Sequence, residues 1–164
     1  MEQNNAAELS GETHRAIAVR LFNETWRLLE TAGRTSEQVD EMIHCAHASR
    51  WHWGQVPDHG PKELSIGEWL ISRTYAVLAR PEGALWHAER CLAICEQHNL
   101  TGWLLAYAHE AIARANAAKG AVNVFAEHYE IAVKLSETVA DPEDRELLIS
   151  DLKAEPWFGL VNPQ

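Results

Sequence analysis

The chain has 164 residues, of which 46% are apolar, and its net charge is −10. This length and composition predict one globular domain with a core of its own. Because the charge is acidic and no basic stripe occurs, we expect no binding to nucleic acid. Because no apolar run has the length of a membrane span, we expect no membrane segment.

The N-terminus and the cysteines indicate where the protein works. Residues 1–10 are polar and lack the apolar segment of a signal peptide. The chain has three cysteines, an odd number. Cys91 and Cys95 are one helical turn apart, which favours two small buried side chains over a disulfide. We therefore expect a cytoplasmic protein.

Helical periodicity dominates the first third of the chain. We expect residues 1–11 to be disordered or frayed and residues 12–164 to form a single helical domain. A first helix is predicted over residues 12–32, before a terminating glycine. A second helix is predicted over residues 36–53, after a Thr-Ser-Glu-Gln capping pattern. The turn-rich stretch 54–61 predicts the longest loop.

Residues 65–97 predict two helices folded back on each other. Ser65 and Glu68 have the spacing of a capping box and predict a helix start. The second helix is expected to begin at Pro81, because the first helical position does not need a backbone N–H. Their linker is short enough to require an antiparallel pair.

A second hairpin is predicted over residues 103–137, about forty residues after the first. Thr101 is the expected N-cap of its first helix, and Gly120 is expected to end that helix. Asp141 and Pro142 predict the start of a seventh helix. The apolar tail 156–160 is expected to fold back onto the stack. No stretch alternates with a period of two, so we predict an all-α fold of six or seven antiparallel helices.

The two hairpins carry small and aromatic residues at recurring positions. In the first these are Ser72, Tyr75, Ala79, Ala84 and Ala88, and in the second Ala113, Gly120, Tyr129 and Ala132. Over residues 65–136 the chain thus resembles a degenerate tetratricopeptide repeat (TPR), although Phe125 departs from the alanine usual there and the period exceeds the family's thirty-four residues. The resemblance implies a short superhelix whose concave face binds peptides or proteins, and it implies no catalytic activity.

Aromatic and histidine side chains are the candidates for a partner or ligand groove. Two indoles at a helix end can serve as interface anchors. The candidate groove residues are Trp51, His52, Trp53, Trp69, Tyr75 and Tyr107. We expect a non-enzymatic interaction module without cofactor, which binds a protein, a peptide, a small ligand or a second copy of itself as a homodimer.

A histidine cluster supports an alternative from another functional class. Asp40, His44 and His47 lie on one helical face, and with a ligand such as His109 from another helix they would hold one zinc or iron ion. The protein would then be a helical metal-binding protein, and a hydrolase is one such protein that the cluster allows. The simpler interpretation is that these histidines lie at helix–helix seams, hydrogen-bonded to a neighbour.

Overall fold

The computed structural model describes residues 9–161, and all regular structure in that range is helical. The helices are α1 (Gly11–Glu30), α2 (Ser36–Gly54), α3 (Pro61–Val77), α4 (Pro81–Gln97), α5 (Trp103–Lys119), α6 (Val122–Glu137) and α7 (Pro142–Lys153). Between residues 9 and 161 there is no strand. The all-α prediction and the upper helix count are therefore confirmed.

Most helix boundaries follow from local capping chemistry, as predicted. The Thr35 hydroxyl accepts from the Gln38 amide, and the Gln38 side chain accepts from the Thr35 amide. Asp141 accepts from the two amides that follow Pro142. Gly120 ends α5 with a positive φ of 78°, a conformation that costs glycine little.

The predicted capping box at Ser65 is wrong. Helix α3 begins four residues earlier, at Pro61, because the Glu63 carboxylate accepts from the Gly60 N–H at 2.9 Å and proline suits the first position. Ser65 is instead buried inside the helix, and its hydroxyl lies 3.4 Å from the Cys91 sulfur.

Two further expectations concern helix starts. Helix α5 is capped by Gly102 and not by Thr101, and the φ of 63° at Gly102 favours glycine there. At the N-terminus, residues 1–8 of the predicted disordered segment 1–11 lie outside the described residues. Within that segment, the Ser10 hydroxyl accepts from the Thr13 amide and α1 begins at Gly11.

The odd-numbered helices form an inner row, since α1 packs on α3, α3 on α5 and α5 on α7. Helices α2, α4 and α6 each pack against helices of this row, and their backbones do not come close to one another. Alanines on the central helices, including Ala76, Ala88, Ala108 and Ala111, are buried where the helices meet. The molecule is thus a stack of helical hairpins with one continuous inner face.

The C-terminal segment folds back onto the stack, as predicted. Trp157 is fully buried against Phe125 and Tyr129. The Arg114 guanidinium lies 3.8 Å from the centre of the Trp157 ring, which adds a cation–π contact to the apolar burial. None of the described helices is both long and apolar enough to cross a membrane.

Candidate functional site

The inner row of helices encloses a groove of about 520 Å³, which we call the inner groove. Its aromatic lining consists of Phe22, Trp26, Trp69, Trp103 and Tyr107. A mostly apolar cavity of this size is typical of sites that take a small molecule or one large group of a partner.

The aromatic rings form a continuous series along the groove. The Trp26 and Trp69 ring centroids are 5.8 Å apart. Trp69 meets Tyr107 at 4.9 Å and 64°, and Tyr107 meets Trp103 at 6.1 Å and 87°. Because successive rings are inclined to one another, the groove presents aromatic faces in more than one direction.

Two carboxylates also line the groove, Glu30 and Asp151. The Tyr107 hydroxyl donates to Asp151 Oδ2 at 2.7 Å. Burial raises the pKa of Asp151, although the Tyr107 hydrogen bond and the charge of Arg73 act in the opposite direction. Burial and the nearby Asp151 charge also raise the pKa of Tyr107, so this phenol stays protonated as a donor.

A buried charge network lies behind the aromatic wall. Glu110 is completely inaccessible to solvent and accepts from Trp69 Nε1 at 2.8 Å, Arg73 at 2.9 Å and Arg114 at 2.6 Å. Burial alone would raise the pKa of Glu110, but the charges of Arg114 and Arg73 outweigh it, and the pKa lies below its usual value. Glu110 is therefore an ionised carboxylate that holds the Trp69 indole in place.

Arg114 also connects this network to the C-terminal segment. It donates to the carbonyls of Asp151, Ala154 and Pro156 at 2.9, 3.0 and 2.9 Å. These bonds join α5 to the last turn of α7 and to the chain that follows it, where Arg114 shares the Asp151 carbonyl with the Ala154 N–H. The same arginine thus fixes Glu110 and the backbone that carries Asp151 into the groove.

A second cavity of about 270 Å³ opens between α2, α3 and α4, and we call it the outer cleft. Trp51 and Trp86 line it and are 56% and 62% exposed, which is unusual for tryptophan. Its polar lining consists of His47, Arg50, Glu68, His87 and Arg90.

Glu68 organises the outer cleft. Its carboxylate lies 2.7 Å from His87 Nδ1, 3.1 Å from Arg50 and 3.2 Å from Arg90. Burial would raise the pKa of Glu68, but the hydrogen bonds from His87 and Arg90 and the charge of Arg50 lower it to about 2. A Cβ on Gly67 would lie 3.1 Å from Arg50 Cβ and closer still to Cδ, so glycine makes room for this arginine.

The six predicted groove residues do not line one common groove. Trp69 and Tyr107 line the inner groove, and Trp51 lines the outer cleft. Tyr75 lies beside the cleft, where its hydroxyl is 3.0 Å from His47 Nε2. His52 Nδ1 is 2.8 Å from His14 Nδ1, and Trp53 lies under the Arg15 guanidinium at 5.5 Å.

Several groove residues escaped the sequence analysis. Phe22 and Trp26 are four residues apart on α1, and this spacing is a detectable signal of a shared face. Trp103 and the predicted Tyr107 have the same spacing on α5, whereas Asp151 belongs to a helix whose placement no local pattern reveals. The buried network had one sequence signal, Glu110 and Arg114 at four-residue spacing on an alanine-rich helix.

The structure does not bring the four predicted metal ligands together. Asp40 and His44 are exposed on α2. His47 contacts Tyr75 and His87, whereas His109 Nδ1 lies 3.0 Å from His128 Nδ1. Among the described residues, no group of three or more His, Cys, Asp or Glu side chains is placed to hold a metal ion. Metal binding stays a prediction, which elemental analysis of chelator-free protein tests.

The chain matches no protein-family model, no curated protein and no solved structure at a significant level. Its function is therefore inferred from the inner groove and the outer cleft. The inner groove has the greater volume and the more extensive aromatic lining.

Proposed function

We propose that this protein is a non-enzymatic interaction module that binds a partner by taking one of its apolar groups into the inner groove. The observation that carries the proposal is the 520 Å³ cavity with its series of four inclined aromatic rings. Aromatic side chains in a concave site supply much of the energy of recognition.

Hydrogen bonds fix two side chains of the groove wall in place without a ligand. Glu110 fixes the Trp69 indole from behind, and Asp151 fixes the Tyr107 ring through its hydroxyl. A wall that is already ordered loses little side-chain entropy on binding, so more of the apolar burial contributes to affinity. Each Å² of apolar surface removed from water contributes roughly 25 cal/mol.

The chemistry of the groove supports binding without catalysis. Its tyrosine and its aspartate hydrogen-bond to each other. Cys91 also lines the groove, but the hydrogen bond with Cys95 and burial raise the pKa of its thiol well above the ordinary value. A reactive cysteine needs the opposite shift, towards the thiolate. The same hydrogen bond lowers the pKa of Cys95 to about 7, but Cys95 is fully buried and does not line the groove.

The TPR-like resemblance favours a peptide or protein partner, the volume of the groove favours a small ligand, and a second copy of the chain would give self-association. All three belong to the proposal, as does a cytoplasmic location. Light scattering at high protein concentration tests self-association, and a monomer there would remove the homodimer.

A fluorescent apolar probe tests the groove itself. N-phenyl-1-naphthylamine should bind the wild type with enhanced emission, and Trp26→Ala should weaken binding because it removes one wall. Trp86→Ala is the matched control, since Trp86 lines the outer cleft. Trp26→Phe keeps an aromatic ring in the wall, so it shows whether the weaker binding of Trp26→Ala comes from the lost ring or from lost folding. Equal binding by wild type and both alanine variants would contradict the proposal.

A further inference from the structure

We propose that the ligand of the inner groove carries a cationic head group beside its apolar group, and that it is a small amphipathic amine or quaternary ammonium with an apolar tail. This inference rests on the proposed function, because it specifies the chemistry of the same groove. It follows from the charges of the lining, the geometry of the aromatic faces and the size of the cavity.

The charged side chains that line the groove are all acidic. They are Glu30 and Asp151, and no described lysine, arginine or histidine lines the cavity. Glu30 is exposed on α1 and forms no ion pair with a described residue. A negative charge at the mouth of a low-dielectric groove favours a cation and disfavours an anion.

Asp151 has capacity for a further positive partner. Its Oδ2 accepts from Tyr107, whereas Oδ1 has only the Arg73 guanidinium at 3.8 Å, beyond hydrogen-bond distance. Arg73 itself is bonded to Glu110, and its side chain is 6% exposed, so it lies behind the wall. Arg73 and Arg114 balance Glu110 and Asp151, and the Lys62 ammonium lies over the Trp103 ring, so Glu30 is the lining carboxylate that has no ion-pair partner among the described residues.

The aromatic walls suit an ammonium group. Cations bind over ring faces, best over tryptophan, and a cage needs faces in several directions. The 64° angle between Trp69 and Tyr107 and the 87° angle between Tyr107 and Trp103 provide such faces. The Lys62 ammonium already lies 5.4 Å from the centre of the Trp103 ring, so one ring of the series holds a cation within the chain itself.

The size and lining of the groove require an apolar tail as well. A lysine side chain of a peptide would leave most of the 520 Å³ unfilled. Ile66, Leu104 and Leu147 line the groove together with the aromatic rings. A small molecule with an alkyl or aryl portion and one ammonium satisfies both parts of the lining.

A head-group series with one common tail tests this inference. Octyltrimethylammonium, 1-octanol and octyl sulfate are each titrated against protein carrying N-phenyl-1-naphthylamine. We expect octyltrimethylammonium to displace the probe at a concentration about tenfold below that of octanol, with octyl sulfate weakest. Glu30→Gln and Asp151→Asn should each reduce the preference for the cation. Glu89→Gln, an exposed residue of α4 outside the groove, should leave it unchanged.

The outcomes separate the inference from the proposed function. If octanol and octyltrimethylammonium displace the probe equally, the groove binds apolar groups but the cationic ligand is ruled out. Preference for octyl sulfate rules it out too. If neither the probe nor any octyl compound binds the wild type, the proposed function fails together with this inference. Glu30→Gln alters an exposed side chain, so it reports on charge even if Asp151→Asn does not fold.

Discussion

The indole N–H of Trp69 donates to Glu110 across 2.8 Å, so a carboxylate without solvent access fixes one wall of the inner groove. Recognition and stability are coupled at this contact. Glu110 also forms ion pairs with Arg73 and Arg114, and Arg114 in turn holds the end of α7.

The first prediction concerns this carboxylate. Glu110→Gln removes the negative charge between two buried guanidinium groups and should lower the free energy of unfolding by about 3–5 kcal/mol. Urea denaturation measures the change. Glu89→Gln on the exposed face of α4 is the control and should stay within about 0.5 kcal/mol of the wild type. Similar losses in both variants would show that the network is not what stabilises this region.

The second prediction concerns acid stability through Glu68. Its pKa falls from 4.5 to about 2 on folding. Stability from this group is therefore fully present above about pH 4.5 and is lost as the pH falls towards about 2, for a total on the order of 3 kcal/mol. Glu68→Gln should be less stable at neutral pH and should lose less on acidification. Urea midpoints at several pH values provide the comparison, and parallel curves would contradict the assignment.

The third prediction compares two glycines near Arg50. Gly67→Ala places a methyl group against the Arg50 stem and should destabilise the protein by about 1–3 kcal/mol, with loss of the Arg50–Glu68 ion pair. Gly54→Ala is the matched control, because its nearest neighbour is the flexible Arg50 Nη1 at 3.6 Å. Alanine there should be neutral or slightly stabilising in a helix. Equal melting temperatures for both variants would refute the steric explanation.

The fourth prediction concerns histidine pairs between helices. Burial, followed by repulsion from His128, lowers the pKa of His109, and burial also lowers the pKa of His128. The neutral forms are favoured in the folded state, so stability is greatest above about pH 6.5 and is lost as the pH falls below it. His109→Gln should reduce the drop in melting temperature between about pH 8 and pH 5.5. His98→Gln, which alters an exposed histidine, should keep the full drop.

The fold was largely predictable because capping and periodicity are local properties. Thr35 with Gln38, Pro81, Gly120 and Asp141 each act on backbone within a few residues, and these boundaries are confirmed. The error at Ser65 has the same local origin, since two acceptable helix starts lie four residues apart and Pro61 with Glu63 prevails. The likeness to TPR proteins stays a prediction.

The groove was only partly predictable, because it is assembled from five helices. Trp69 and Tyr107 were expected in it, but Asp151 joins them only through the packing of α7 on α5. Trp51 was expected in the same groove as Trp69 and Tyr107, but it lines the outer cleft. Which aromatic residue belongs to which cavity is a property of tertiary structure.

Fluorine NMR of protein labelled with 5-fluorotryptophan tests most directly whether the inner groove is the binding site. The seven tryptophans report on separate places, and single Trp→Phe variants assign their signals. On addition of 1-octanol, we expect the signals of Trp26, Trp69 and Trp103 to shift while those of Trp51 and Trp86 stay in place. Shifts confined to Trp51 and Trp86 would contradict binding in the inner groove and would place the ligand in the outer cleft.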